Sequence, residues 1–253
     1  MRNPIISVIL PTYNRADMIA QTIHSMMRQN FHDFELIIIN DGSTDNTDSE
    51  VLEFTDSRIR YKILEHGGDF GIGALNYGMD LARGEYLTFV SSDNLYFSDY
   101  LRTLLEALDD TGADFSFGNF LLFEKETGVM KEFKRPSHLD GPFETYHLAI
   151  GYTAGICFLF KKGIFEKIKP YRPGPHSDYD LMARMAIAGA KFARINSILG
   201  VNVIHKGQLS ETSQAKEDET KIRLMVCDHL KKIKFRGAEE LRKKVLEHVK
   251  GEK

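Results

Sequence analysis

The sequence predicts an α/β protein, a mostly parallel sheet with helices on both faces. Three observations predict it. Apolar, β-branched runs stand at residues 5–10 and 36–39, within strands expected over 5–10 and 34–40, and further strands are expected at 59–64 and 86–90. Stretches with helically spaced apolar residues separate them, giving the order β-α-β-α-β-α-β, because a parallel neighbour is reached only by a crossover. Two polar segments, Pro11-Thr12-Tyr13-Asn14-Arg15 and Asp41-Gly42-Ser43-Thr44-Asp45, leave the C-terminal ends of two of these strands. Open α/β sheets bind their ligands there.

The elements follow in order. After the first strand, Met18, Ile19, Ile23, Met26 and Met27 fall on one helical face, and Asn14 or Asp17 can cap that helix. The second strand leads to a helix over residues 45–54, opening at Thr44 or Asp45. The third leads to the loop Gly67-Gly68-Asp69-Phe70-Gly71 and a helix over 74–82, with Gly84 as its stop. After the fourth strand the rhythm changes. A helix over 98–108 is followed by strands 114–123 and 129–133, joined as a hairpin at Thr127-Gly128. Residues 135–152 show no clear period. A strand at 156–160, a short helix at 163–168, a proline loop at 170–175, a helix at 179–188 and a strand at 192–195 complete the body. The last forty residues are helical and amphipathic, with Leu224, Met225, Leu230 and Ile233 on or near one face. The expected organisation is a main domain over 1–210, divided near residue 95, and a basic helical extension over 211–253.

Composition bounds the function. A chain of 253 residues buries a sizeable core without staples, and its 42% hydrophobic and 27% charged residues are ordinary for a globular protein. Cys157 and Cys227 lie far apart without metal spacing and read as reduced structural thiols, which fits a cytoplasmic setting. The six-residue apolar run near the amino terminus is too short for a signal peptide or a membrane span. The net charge of −3 is uneven: residues 221–253 carry eleven Lys and Arg against five Asp and Glu. Such a tail suits an anionic surface, including the inner face of a membrane; a solvated face, a homodimer contact or packing on the domain remain open readings. No Gly-x-Gly-x-x-Gly opens the first loop, no Walker sequence occurs, and no aromatic–basic interleaving offers a nucleic-acid platform.

Five positions can carry chemistry. Asp41 can accept N–H bonds from a nucleobase or close a turn. Tyr13 can stack a base or fill the core edge. On adjacent strands the pair favours a nucleotide. Asp93, after Ser91 and Ser92 at the fourth strand's end, can offer oxygen to a hard divalent cation on a diphosphate or cap the next helix. Asp178 and Asp180 open a helix and can act as general bases or as caps, with capping the stronger reading for Asp180. Nothing local makes His205 a ligand.

These segments together resemble the family 2 glycosyltransferases, inverting enzymes of the GT-A (Rossmann-like) fold. The resemblance rests on residues 8–15, 34–45 and 74–86, with Ser92-Asp93-Asn94, Asp178-Tyr179-Asp180-Leu181 and His205, and covers about residues 4–207. Residues 84–96 look like the spore-coat polysaccharide glycosyltransferases of this family. The resemblance implies a nucleotide diphosphate sugar donor, typically a UDP-sugar, and a sugar or lipid-linked acceptor. Residues 1–95 would form the nucleotide-binding half and 96–210 the acceptor half. Pro11, Thr12 and Tyr13 would line the base pocket, Asp41 would bond the base, and Arg15 and Ser92 would belong to the same nucleotide site. Asp93 would bind Mn²⁺ or Mg²⁺ against the diphosphate, with His205 helping, and Asp178 would be the catalytic base. Four positions depart from the family pattern: serines at 91 and 92, Ser177 in place of an acid, and Leu75 in place of an arginine. A nucleotide-sugar-binding protein without transferase activity is therefore the competing class.

Overall fold

The structure is a computed structural model that describes residues 2–69, 71–133, 144–145, 147–150, 155–172, 174, 176–206 and 213–251. Strands β1 (Ile6–Thr12), β2 (Phe34–Asn40), β3 (Ile59–Ile63) and β4 (Tyr86–Phe89) alternate with helices α1 (Ile19–Met27), α2 (Thr47–Leu52) and α3 (Ile72–Leu81). All four strands are parallel, in the spatial order β3-β2-β1-β4. Every residue of β2 is buried, because the sheet is covered on both faces; this is why the sequence shows a continuous apolar run there rather than an alternation. Ile9, Ile37 and Ile39 face one core layer with α3, and Val8, Leu10, Leu36 and Ile38 face the other with α1.

The exception inside β2 is Glu35, whose side chain is 2% exposed. Its carboxylate accepts from Ser7 Oγ (2.7 Å), Arg60 (2.7 Å), and both the backbone N–H and the guanidinium of Arg83 (2.8 Å each). Burial works to raise this carboxyl, but the bonds from Arg60, Arg83 and Ser7 outweigh it and hold it below the usual range. Gly84 belongs to the same knot. Its N–H donates to Ser7 Oγ at 2.8 Å, and a Cβ there would lie 2.6 Å from the Ser7 nitrogen. Close approach therefore demands this glycine, not the helix stop expected of it; α3 ends earlier, and Ala82 is already extended.

The second half contains β5 (Leu95–Tyr96), α4 (Tyr100–Thr111), β6 (Phe115–Glu124), β7 (Val129–Glu132), α5 (His147–Ile150), β8 (Phe158–Lys161), a 3-10 turn at Lys162–Glu166, α6 (Ser177–Ile187) and β9 (Phe192–Ile204). Strand β8 joins the parallel half antiparallel to β4, and the sheet continues β8-β6-β9-β5. The hairpin forms where expected: Glu124 pairs with Val129, and Gly128 takes φ 69° in the turn. Two differences stand out. The strand expected at 192–195 runs to Ile204, parallel to β6 with two register shifts, and its polar residues hid that length. β5 is a two-residue strand on β9, too short to leave a period. The stretch 135–152 lies largely outside the described residues.

Helices α7 (Ser213–Lys232) and α8 (Ala238–Gly251) pack on each other, and α7 packs on α5 and α6. The buried stripe of α7 is Ile222, Val226 and Leu230 with Cys227 beside it. This turns the face away from the one expected: Leu224 and Met225 are only partly buried, and Ile233 is 57% exposed. Among the described residues no helix is long and apolar enough to cross a membrane.

Candidate functional site

β1 lies between β2 and β4, so the chain winds outward from it in both directions, and the crevice at such a switch point is the natural ligand site. A cleft of about 470 Å³ opens there, lined by Pro11, Thr12, Tyr13, Arg15, Asp41, His66, Gly68, Gly71, Ser91, Ser92 and Asp93. Every residue expected to hold the nucleotide lies on its wall. Thr12 Oγ1 is buried there and has no hydrogen-bond partner among the described residues.

The two polar loops that mark the sequence are laced together. Asn14 N–H donates to Ser43 Oγ (2.9 Å) and Thr44 N–H to Asn14 Oδ1 (2.8 Å). Arg15 N–H donates to Thr47 Oγ1 (2.8 Å) and Ala16 N–H to Asp45 Oδ2 (3.1 Å). Burial works to raise the Asp45 carboxyl, but the bonds from Thr47 and Ala16 prevail and lower it. Neither Asn14 nor Asp17 caps α1, which has no side-chain cap: Asn14 is spent on the lacing, and Asp17 pairs with Lys125 at 2.9 Å.

At one end of the cleft, Asp41 is 3% exposed. Its Oδ1 accepts from Gly67 N–H (3.1 Å), and its Oδ2 meets His66 Nδ1 (2.9 Å). The His66 ring stacks on Tyr13 with centroids 4.0 Å apart and planes 10° off parallel. His66 was not foreseen; a lone histidine in a glycine-rich loop gives no signal. Gly42, at φ 70°, lets this loop close down, since a Cβ there would lie 2.7 Å from the His66 nitrogen.

At the other end, Asp93 Oδ2 lies 3.2 Å from His205 Nε2 and 3.8 Å from Arg15 Nε. His205 Nδ1 lies 3.0 Å from the Lys206 carbonyl, so both ring nitrogens face oxygen atoms. A carboxylate and an imidazole nitrogen meeting at this spacing, with the other ring nitrogen against a carbonyl, are a pair that would fit two ligand positions of a metal ion. Among the described residues no group of three or more His, Cys, Asp and Glu converges, so the remaining ligands of such an ion would come from phosphate and water. Asp93 is not a helix cap, since Asp99 precedes α4. Asn94 sets this geometry: its Oδ1 accepts from Val203 N–H at 2.9 Å and its carbonyl from Thr22 Oγ1 at 2.8 Å, tying the turn to β9 two residues before His205.

A second cavity of about 220 Å³ shares Pro11 and Ser91 with the cleft and is lined by Leu75, Phe89, Tyr171, Ser177 and Asp178 among others. Asp178 lies in the first turn of α6 and accepts its neighbour's N–H, from Tyr179, at 2.8 Å. Asn76 exchanges two bonds with the Tyr171 backbone, 3.1 and 3.2 Å, and fixes that wall. Burial pushes the Tyr171 phenol well up, with the Asp178 charge adding to it. Asp180 is elsewhere engaged: Arg184 holds it at 2.7 Å while also donating to the Lys169 and Pro170 carbonyls.

The fold and its strand-end cleft define an α/β protein of the GT-A type. Residues 7–169 match Glycosyl transferase family 2, and the chain belongs to that family. It is 35% identical over 167 residues to GalNAc(5)-diNAcBac-PP-undecaprenol beta-1,3-glucosyltransferase of Campylobacter jejuni, covering 64% of this chain and 53% of that protein. To UDP-Glc:alpha-D-GlcNAc-diphosphoundecaprenol beta-1,3-glucosyltransferase WfgD of Escherichia coli it is 30% identical over 131 residues, covering 52% and 51%. The chain thus spans about half the length of these relatives. Its fold is similar to that of S. aureus TarS in complex with UDP-GlcNAc, with TM-score 0.74 at 18% identity, covering 89% of this chain and 66% of that one. It is also similar to the mannosyltransferase PcManGT from Pyrobaculum calidifontis in complex with GDP-Man and Mn2+, with TM-score 0.63 at 20% identity, covering 92% and 65%.

Proposed function

We propose that the chain transfers a sugar from a nucleotide diphosphate sugar, in the first instance a UDP-sugar, to an acceptor hydroxyl by a single inverting displacement. The observation that carries this is the shared wall: the cleft holding Tyr13, Asp41 and Asp93 and the cavity holding Asp178 meet at Pro11 and Ser91. Tyr13 and His66 offer a flat surface to the base, and Asp41 fixes His66 beside it. Arg15 contributes a cation to the phosphate region. Asp93 and His205 would hold Mn²⁺ or Mg²⁺, which when bound neutralises charge on the leaving diphosphate. Asp178 takes the acceptor hydroxyl proton as that oxygen bonds to the anomeric carbon. The bond from that carbon to the diphosphate oxygen breaks on the opposite face, so the configuration inverts. Base catalysis of this kind is worth roughly 10²–10⁴-fold.

Two relatives are named for undecaprenol diphosphate acceptors, which supports a lipid-linked acceptor and a site of action at the inner membrane face. The test is a thermal-shift screen of nucleotide sugars with and without Mn²⁺, followed by transfer assays with the donor that binds. A donor that stabilises the chain by mass action supports the reading; no response to any nucleotide sugar rejects it. The serines at 91, 92 and 177 favour one competing reading, a protein that binds such donors without transferring them. Donor binding with no turnover, equal in wild type and Asp178→Asn, would establish that reading instead.

A further inference from the structure

We infer that the turn between α7 and α8 is a docking tip for an anionic membrane surface. This deepens the lipid-linked acceptor reading and rests on it for its purpose, not for its chemistry. Residues 231–237 are exposed without a break. Ile233 is 57% and Phe235 38% exposed, two large apolar side chains on one turn. They are interleaved with Lys232, Lys234 and Arg236, none of which forms an ion pair among the described residues. Their neighbours Lys231 and Arg242 are paired, with Glu239 and Asp228.

The turn is built rather than frayed. Ile233 N–H donates to His229 O, Lys234 N–H to Lys231 O and Phe235 N–H to Leu230 O, and Lys234 takes φ 56° to close the helix. The apolar stripe of α7 is buried against the domain, so α7 cannot lie in a membrane on that face. Among the described residues of α7, α8 and the turn between them, the most exposed large apolar side chain is Ile233 at the tip, with Phe235 beside it and Leu246 on α8 also exposed. Isoleucine and phenylalanine between three unpaired cations fit a bilayer boundary, where acyl chains lie beneath anionic headgroups. A nucleic-acid backbone would satisfy the cations but leave Ile233 in water.

The position suits the acceptor. Ile222 and Lys221 of α7 line a small cavity with Arg172, His176 and Ser177, beside the cavity that holds Asp178. From Ile222 the helix runs ten residues to Lys232, about 15 Å at 1.5 Å per residue. A tip seated on the headgroups would hold the acceptor side of the site within reach of a lipid-borne sugar.

The test is co-sedimentation of the full chain with phosphatidylglycerol-containing vesicles and with phosphatidylcholine vesicles. Binding to the anionic vesicles alone is expected. The triple variant Lys232→Glu/Lys234→Glu/Arg236→Glu should weaken it by about a hundredfold or more, from the contribution of each cation near a charged surface. Ile233→Ser/Phe235→Ser should weaken it separately, with the donor-induced thermal shift unchanged in both variants. Equal binding to neutral vesicles overturns the inference. So does binding that survives Ile233→Ser/Phe235→Ser, or single-stranded RNA that binds as tightly as the vesicles. Vesicle binding without sugar transfer would reject the proposed function and leave the tip standing. Transfer to a soluble acceptor without vesicle binding would reject the tip alone.

Discussion

The two ends of one parallel sheet handle their carboxylates in opposite ways. At the N-terminal end Glu35 is buried and accepts from Ser7, Arg60 and Arg83 at 2.7–2.8 Å. At the C-terminal end Asp93 has a histidine at 3.2 Å and an arginine at 3.8 Å, and Asp178 accepts from its neighbour's backbone. The same residue chemistry is enclosed by strands at one end and lines the cleft and its neighbouring cavity at the other. A carboxylate saturated between strands holds them together; one that lines a cavity is placed to meet a ligand.

Substitutions at the two ends should therefore separate stability from chemistry. The largest effect is expected at the cleft end. Asp178→Asn should lose roughly 10²–10⁴-fold in turnover while donor binding and melting temperature stay near wild type. Turnover assays beside a donor titration read this directly, and wild-type turnover would remove Asp178 as the base. Next comes the enclosed end. Glu35→Ala should cost about 1–3 kcal/mol of stability, because it leaves the buried Ser7 hydroxyl and the Arg83 backbone N–H without their acceptor. Denaturant melts measure it, and activity per folded molecule should not change. Because the folded carboxyl lies below its usual value, its contribution is full above the unfolded value of about 4.3 and lost as pH falls through the folded one. Acid titrations of wild type and Glu35→Gln should thus converge at low pH.

Asp93→Ala and His205→Ala should each weaken donor binding about 10–100-fold in the presence of Mn²⁺ and much less without it. Calorimetric titrations with and without the ion check this; an effect independent of the ion would make the pair merely structural. The smallest effect is expected for His66→Ala, which removes the stack on Tyr13. Only a few-fold loss of nucleotide affinity should follow, since such a contact is worth about 0.5–1.5 kcal/mol.

The parallel half was legible because β1 and β2 are short β-branched runs and helical periods separate the strands. The second half was less so. β9 passes through Arg194, Asn196, Ser197 and Gly200 while changing register against β6, so its pattern breaks although its pairing continues. The tail showed its amphipathicity but not its face, because Ile233 belongs to the exposed turn rather than to the buried stripe. In the site, strand ends pointed to Asp41 and Asp93, while His205 and the role of Asp178 came from the family pattern. His66 and Asn94 were missed because their partners, Asp41 and Val203, are 25 and 109 residues away, and no local pattern records such a bond.

The pair Asp93–His205 is separated by 112 residues. Contacts so distant in the chain form late, after the intervening loop has been closed by other structure. A nascent chain can bring β1, β2 and the laced loops together while the Asp93 end of the cleft still lacks His205. That end is complete only when β9 has paired with β6, so the two ends of one cleft depend on stretches of chain synthesised far apart in time.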